Sequence, residues 1–97
     1  MTGTTRSSDG LDPRRRKLKF RSWHRGIREM DLIMGRFADA CIDGLDDAEL
    51  DDLERLMDVP DPEVYAWITG ECAPPDDFDT AVLRRLRAFH HAARAPE

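Results

Sequence analysis

Apolar residues recur at helical spacing along most of this 97-residue chain. The clearest stripe falls at i, i+3, i+4, i+7, i+8 and i+11, the pattern of a helix with one buried face. Its members are Met30, Ile33, Met34, Phe37, Ala38 and Cys41. The stripe predicts a helix from about Ile27 to Ile42, terminated by Gly44.

A first helix is predicted upstream of that stripe. Asp12 is a good N-cap residue, and Pro13 suits the first helical position. The helix is expected to run to about His24, where Arg25 and Gly26 interrupt the pattern. Its apolar residues are Leu18, Phe20 and Trp23.

Start signals predict two further helices in the middle of the chain. Asp46 and Glu49 form a capping box that opens a third helix. Asp61 and Pro62 then predict the cap and the first residue of a fourth helix, which Gly70 ends. The inward-facing residues are expected to be Leu50, Leu53, Leu56 and Met57 in the third helix and Val64, Trp67 and Ile68 in the fourth.

The last helix is expected to follow a cap at Asp76 or Asp77. Its apolar face is predicted at Phe78, Val82, Leu86, Phe89 and Ala93. No segment alternates apolar and polar residues in a β-rich setting. We therefore predict an all-α fold, a small single-domain five-helix bundle over residues 12–95. Residues 1–11 are Thr/Ser/Gly-rich without periodicity and are expected to form a disordered tail.

Charge is distributed unevenly along the chain. The net charge is −5, but residues 1–28 carry +7, residues 29–79 carry −15 and residues 80–97 carry +3. Such polarity suits electrostatic steering toward a charged protein partner, and the acidic total argues against general nucleic-acid affinity. The basic run Arg14-Arg15-Arg16-Lys17 could contact phosphate, but no aromatic platform accompanies it.

The sequence contains no motif for catalysis, for a metal or for a membrane span. Histidines and cysteines lack zinc-ligand spacing, so we expect no metal site, and we expect His90 and His91 to be surface residues. Cys41 and Cys72 form no CxxC motif and are expected to be buried free thiols. The longest apolar run, residues 32–34, is too short to cross a bilayer, and no secretory signal is present. A cytoplasmic location is therefore predicted.

The segment from Arg25 to Asp31 allows two interpretations. Gly26 stands between two predicted helices, where glycine costs about 1 kcal/mol relative to alanine. It is either a hinge or helix-end residue among solvent-facing charges, or a position that lets a partner's backbone approach closely. In the second case Arg25 and Glu29, at i and i+4 on one helix face, would offer charge-assisted hydrogen bonds together with Asp31. These residues alone favour neither interpretation.

This segment resembles the RGxxE motif of the succinate dehydrogenase assembly factors, the bacterial SdhE type and its mitochondrial counterpart. The motif itself is Arg25-Gly26-Ile27-Arg28-Glu29, preceded by Leu18-Lys19-Phe20-Arg21-Ser22 and followed by Met30-Asp31. Further matches are Leu50, Leu53, Leu56 and Met57, and the run Asp61-Pro62-Glu63-Val64-Tyr65-Ala66-Trp67-Ile68. The resemblance covers about residues 14–90, and Ile27 stands where the family commonly has Met.

The resemblance implies a chaperone-like assembly factor with an all-helical fold and no catalytic residue. Such a factor binds the flavoprotein subunit of succinate dehydrogenase, or in some bacteria that of fumarate reductase, and promotes covalent attachment of FAD. It holds no cofactor stably, because the chemistry belongs to the flavin and the partner. The partner-binding residues it implies are Arg25 and Glu29 for polar contacts, Gly26 for close approach, Asp31 and Arg21 at the rim, and Arg28 and Trp23 beside them.

Other functions stay open on the residues alone. The chain could be an antitoxin-like or other regulatory protein-binding module that uses its acidic segment, residues 29–79, to cover a basic protein. It could also bind nucleic acid through residues 14–28. An enzyme such as a flavin transferase is disfavoured, because the sequence has no nucleotide-binding loop. A monomer is expected, since each predicted helix has a single apolar stripe.

Overall fold

The computed structural model describes residues 10–94, and these residues form five α-helices and no strand. The helices are α1 (Pro13–Trp23), α2 (Arg28–Cys41), α3 (Asp47–Met57), α4 (Asp61–Thr69) and α5 (Ala81–Arg94). Two short 3-10 turns lie at Ile42–Gly44 and Asp76–Phe78. The prediction of an all-α fold with five helices is confirmed. The predicted disordered tail, residues 1–11, lies outside the described residues except for Gly10 and Leu11, and so does the predicted domain end at residue 95.

Contacts between residues divide the chain into two compact units. The first ends at Asp46 and contains α1, α2 and the 3-10 turn that follows α2. The second begins at Asp47 and contains α3, α4 and α5. The segment that resembles the RGxxE motif therefore lies in the first unit.

Helix α1 begins as predicted. The Asp12 carboxylate accepts a hydrogen bond from the backbone N–H of Arg15 at 3.3 Å, which caps the helix. Leu18, Lys19 and Ser22 are buried, whereas Phe20 is 63% exposed. Phe20, one of the three apolar residues of this helix, therefore lies outside the core. Two residues along a helix correspond to about 200°, so Phe20 points away from the side that Leu18 buries.

Helix α2 buries the predicted stripe. The buried residues are Met30, Ile33, Met34, Gly35, Phe37 and Ala38, and Cys41 at the end of the stripe is half-buried. The helix begins at Arg28, because Ile27 is its N-cap residue with extended backbone. Past Cys41 the chain tightens into the 3-10 turn that contains Gly44.

The second unit has the predicted apolar faces in α3 and α4. Leu50, Leu53, Leu56 and Met57 are buried in α3, and Val64, Trp67 and Ile68 are buried in α4. Asp61 is not the cap of α4, because Pro60 occupies the N-cap position and Asp61 is already helical. Gly70 ends α4 with φ +84°, as a left-handed C-terminal residue does.

Helix α5 starts later than predicted, and its cap is a threonine. Asp76 and Asp77 lie in a 3-10 turn, so neither caps the helix. Instead the Thr80 hydroxyl accepts a hydrogen bond from the backbone N–H of Leu83 at 3.2 Å. The apolar face is also displaced: Val82, Leu83 and Leu86 are buried, Phe89 is half-buried and Ala93 is exposed.

Two single-residue predictions in the chain need correction. His90 is only 8% exposed, so its predicted surface position is wrong, whereas His91 is exposed. His90 follows Leu86 by one helical turn and therefore shares the buried side of α5. Cys41 is half-buried and Cys72 is exposed, and both are free thiols, so burial was wrongly predicted for Cys72.

Candidate functional site

The loop between α1 and α2, here called the RG loop, comprises His24, Arg25, Gly26 and Ile27. Gly26 has φ +100°, a conformation that residues with a side chain rarely adopt. A β-carbon built on Gly26 would meet no atom within 4 Å. Gly26 thus meets a conformational need of the loop and also leaves exposed backbone with open space beside it. Both interpretations of this glycine are compatible with the structure.

Asp31 links helix α2 to the backbone of the RG loop. Its Oδ1 atom accepts hydrogen bonds from the N–H of Arg25 at 2.5 Å and from the N–H of Gly26 at 3.2 Å. The N–H of Asp31 in turn donates to the carbonyl of Ile27 at 2.9 Å. Asp31 is therefore half-buried against the loop. The sequence predicted Asp31 as a contact for a partner, beside Arg25 and Glu29 or at the rim, and not as a residue that bonds the loop.

The charged side chains of the motif surround the first turn of α2. Arg28 and Glu29 are exposed at the first two helical positions, and Arg25 is half-buried in the loop before them. No helix spans residues 25–29, so the predicted placement of Arg25 and Glu29 on one helix face is wrong. Glu29 instead lies near the positive end of the α2 dipole, where a carboxylate is favoured. Arg21, in the last turn of α1, is half-buried.

Trp23 connects the end of α1 to the middle of α2. Its indole N–H donates to Oδ1 of Asp39 at 3.1 Å, and the same oxygen lies 3.6 Å from Nζ of the buried Lys19. The ring packs on Gly35, where a β-carbon would lie 2.2 Å from Trp23 Cδ2. Trp23 is half-buried by this arrangement. Gly35 was not predicted as a packing position, although a glycine inside an apolar helical stripe is a signal of close packing.

Apolar side chains are exposed on both sides of Gly26. The rings of Phe20 and His24 stack with centroids 3.9 Å apart. His24 Nδ1 lies 2.7 Å from the Phe20 carbonyl and must carry the hydrogen, because a carbonyl oxygen only accepts. Ile27 is 47% exposed. The surface around the RG loop therefore combines apolar groups, charged side chains and accessible backbone, as protein-binding sites do.

The basic run 14–17 contributes to the fold of the first unit. Arg15 donates to the carbonyls of Ile42 at 2.9 Å and of Leu45, and it forms an ion pair with Asp12 at 2.7 Å. The bond from Arg15 holds the pKa of the Asp12 carboxyl below its ordinary value. Arg15 thus ties the start of α1 to the turn after α2, which is a structural use of one basic residue in this run.

Metal sites and membrane spans are two other kinds of site that a small helical chain can contain. Within residues 10–94, no group of three or more His, Cys, Asp or Glu side chains is arranged to hold a metal ion. Over the same part of the chain, every helix is too short or too polar to cross a bilayer. The candidate site is the RG loop with its surroundings, because exposed Gly26 backbone, charged side chains and the exposed Phe20 and Ile27 lie together there.

Comparisons with known proteins agree with the motif. A family model described as "Flavinator of succinate dehydrogenase" matches residues 16–90, which include the RG loop. The chain is 41% identical over 80 residues to the FAD assembly factor SdhE of Acetobacter pasteurianus, covering 82% of this chain and 73% of that protein. It is 35% identical over 86 residues to the mitochondrial succinate dehydrogenase assembly factor 2 of Dictyostelium discoideum, covering 89% and 60%. It is 40% identical over 86 residues to the protein of the same name from Meyerozyma guilliermondii, covering 84% and 64%.

The extent of these matches decides the classification. The chain spans less than two thirds of either mitochondrial relative, but the matched part covers more than four fifths of the chain itself. The family model likewise covers most of the chain, including α2, α3 and α4 in full. The chain belongs to the family of succinate dehydrogenase flavinators.

Proposed function

We propose that this chain is an assembly factor that binds the flavoprotein subunit of succinate dehydrogenase and promotes covalent attachment of FAD to it. The family model and the names of the relatives support this function. The structural observation that carries it is the RG loop: exposed Gly26 backbone with open space beside it, adjacent to Arg25 and Glu29. Such a loop allows another protein's backbone to approach closely and be held by charge-assisted hydrogen bonds.

On this proposal, the factor acts by binding one conformation of the flavoprotein subunit more tightly than the others. It stabilises the arrangement of the flavoprotein subunit in which the covalent bond to FAD forms, and the bond-forming groups are those of the partner and the flavin. Arg25 and Glu29 supply polar contacts, Gly26 permits close approach, and Arg21 and Arg28 extend the contact. On this proposal the chain is a non-catalytic cytoplasmic protein, monomeric when free and without a stably bound cofactor, and its partner is the flavoprotein subunit of succinate dehydrogenase or that of fumarate reductase.

Substitution of Gly26 tests the proposal. The flavoprotein subunit of succinate dehydrogenase from the same source is co-expressed with this chain, and covalent flavin is measured by in-gel fluorescence after denaturation. The wild-type chain should raise the flavin signal, and Gly26→Arg should reduce it to the level without the factor, because a long charged side chain fills the space a partner needs. Glu29→Ala should also lower the signal, through loss of an exposed carboxylate at the site.

Two control variants separate blocked docking from general damage. Gly26→Ala imposes the same backbone strain at φ +100° but adds only a methyl group into open space. Gly44→Arg adds the same charged side chain at another exposed glycine of the first unit, where a β-carbon also meets nothing. Both should retain more activity than Gly26→Arg. A folded, fully active Gly26→Arg variant would contradict the proposal.

A regulatory module that covers a basic protein gives a different outcome. Its binding would weaken steeply with ionic strength, and neutralising exposed acidic residues such as Asp47 or Asp51 would reduce binding more than changing Arg25 or Glu29. If the flavin signal did not depend on this chain, pull-down experiments at low and high salt would test for such a basic partner.

A further inference from the structure

The RG loop is held by a residue that follows it, not by a cap that precedes α2. Ile27 occupies the N-cap position and makes no side-chain hydrogen bond there. Asp31, one turn inside the helix, reaches back instead, and its Oδ1 accepts from the N–H groups of Arg25 and Gly26. A single carboxylate oxygen thereby fixes two consecutive peptide units of the loop.

We infer that Asp31 is a positioning residue, whose carboxylate holds Arg25 and Gly26 in the backbone conformation that the flavoprotein subunit binds. This inference rests on the proposed function and adds a role for Asp31 that acts through the loop, in place of a direct contact with the partner. The carboxylate contacts the backbone of its own loop, as a residue that shapes the loop must do.

The physical need for such a residue comes from Gly26. A glycine visits positive and negative φ about equally readily, so a loop centred on it has several conformations of similar free energy. If only a fraction of molecules has the binding conformation, the apparent Kd rises by the inverse of that fraction. Two hydrogen bonds to an ionised acceptor, each stronger than a bond between neutral groups, keep that fraction high before the partner arrives.

The Asp31 side chain can be changed in two graded steps. Asp31→Asn keeps an oxygen that can accept the same two N–H groups, but as a neutral and weaker acceptor. Asp31→Ala removes the acceptor altogether. If Asp31 instead made a direct ionic contact with the partner, Asp31→Asn and Asp31→Ala should weaken binding equally, because both remove the charge.

The experiment measures loop order and affinity on the same full-length variants. Amide hydrogen exchange at Arg25 and Gly26 is followed by NMR in the free chain, and the Kd for the purified flavoprotein subunit is measured by calorimetry well below the melting temperature. Asp31→Ala should raise the exchange rate of both amides. It should also raise the Kd by about tenfold or more, which corresponds to a fraction of about one tenth or less of the free molecules in the binding conformation. Asp31→Asn should fall between alanine and wild type in both measurements.

The control is Asp77→Ala, which removes one exposed carboxylate from the second unit and should change neither quantity. Unchanged exchange with weakened binding, and no rescue by Asp31→Asn, would overturn the inference in favour of a direct contact. Faster exchange with unchanged Kd would overturn it as well, since the loop conformation would then not limit affinity. If Asp31→Ala fails to fold, Asp31→Asn against wild type carries the same comparison.

Failure of the proposed function is distinguishable from failure of this inference. A wild-type chain that does not bind the subunit refutes the proposed function and, with it, the link from the loop to affinity. Binding by wild type that Asp31→Asn and Asp31→Ala leave intact refutes only the role of Asp31.

Discussion

The variant Gly35→Ala is expected to destabilise the first unit through a steric conflict with Trp23. A β-carbon on Gly35 would lie 2.2 Å from Cδ2 and 2.5 Å from both Cε2 and Cε3 of the indole. Carbon atoms pack at about 3.5–4.0 Å, so the ring would have to retreat by more than about 1 Å. The indole ring is rigid, and its N–H donates a hydrogen bond to Asp39. Moving the ring away from Gly35 therefore also disturbs that hydrogen bond.

The net magnitude follows from three opposing contributions. Overpacking of this kind costs about 1–3 kcal/mol. A hydrogen bond to a charged group contributes about 1.5–3 kcal/mol, part of which is lost when the indole N–H moves away from Asp39. Alanine in place of glycine inside a helix recovers about 1 kcal/mol. If about half of that hydrogen bond is lost, we expect Gly35→Ala to lower the free energy of unfolding by about 1–3 kcal/mol, or the Tm by roughly 5–25 °C.

A double-mutant cycle with Trp23→Ala isolates this contact. Urea denaturation followed by circular dichroism gives the free energy of unfolding of each variant. Without the indole ring, Gly35→Ala should be neutral or stabilising by up to about 1 kcal/mol, so the two sites should be coupled by at least about 1 kcal/mol. A cost of Gly35→Ala that is equally large in both backgrounds, or below about 0.5 kcal/mol in the wild type, would refute the reasoning.

Two further predictions concern the second unit and the start of α1. Trp67→Ala should lower the free energy of unfolding by about 3–5 kcal/mol, because the ring is 6% exposed and contacts Phe78 at 5.4 Å between centroids; an unchanged Tm would contradict its core position. Arg15→Ala should cost about 1–3 kcal/mol by denaturation, against less than about 0.5 kcal/mol for the exposed Lys17→Ala. Since the bond from Arg15 lowers the pKa of Asp12 in the folded state, the unfolded chain binds that proton more readily, and the wild type gains stability as the pH rises toward the ordinary Asp pKa of about 3.9. This gain should shrink in Arg15→Ala, and equal pH slopes of the two proteins below about pH 4 would contradict the assignment.

The helices were predictable wherever their signals are local. Asp12 bonds to a backbone N–H three residues away, and Gly70 ends α4 through its own φ, so both features act within one helical turn. The stripe in α2 is periodic over the whole helix and was predicted almost residue by residue. The cap of α5 was predicted wrongly because several residues that can cap a helix precede it, and the sequence does not show which of them adopts the cap geometry. In the structure, Thr80 does so.

The candidate site was predictable only as a segment. The motif from Arg25 to Glu29 is contiguous, so it was visible in the sequence, but its arrangement as a loop followed by a helix start was not. Asp31 was predicted as a partner-binding carboxylate, and its hold on the loop was not foreseen, because bonds to backbone N–H groups leave no pattern in the sequence. Gly35 was missed for a related reason: its importance comes from the ring of Trp23, twelve residues earlier.

Periodicity, capping and motif spacing act between residues close along the chain, so the positions of most helices, the all-α fold and the family motif could be predicted from the sequence alone. The burial of Lys19 beside Asp39, the exposure of Phe20 and the hold of Asp31 on the RG loop became evident only from the packing of the folded chain. Those outcomes depend on which side of a helix meets a neighbouring helix and on bonds between residues from different elements. Helical spacing fixes the relative direction of side chains, and packing fixes which direction is inside.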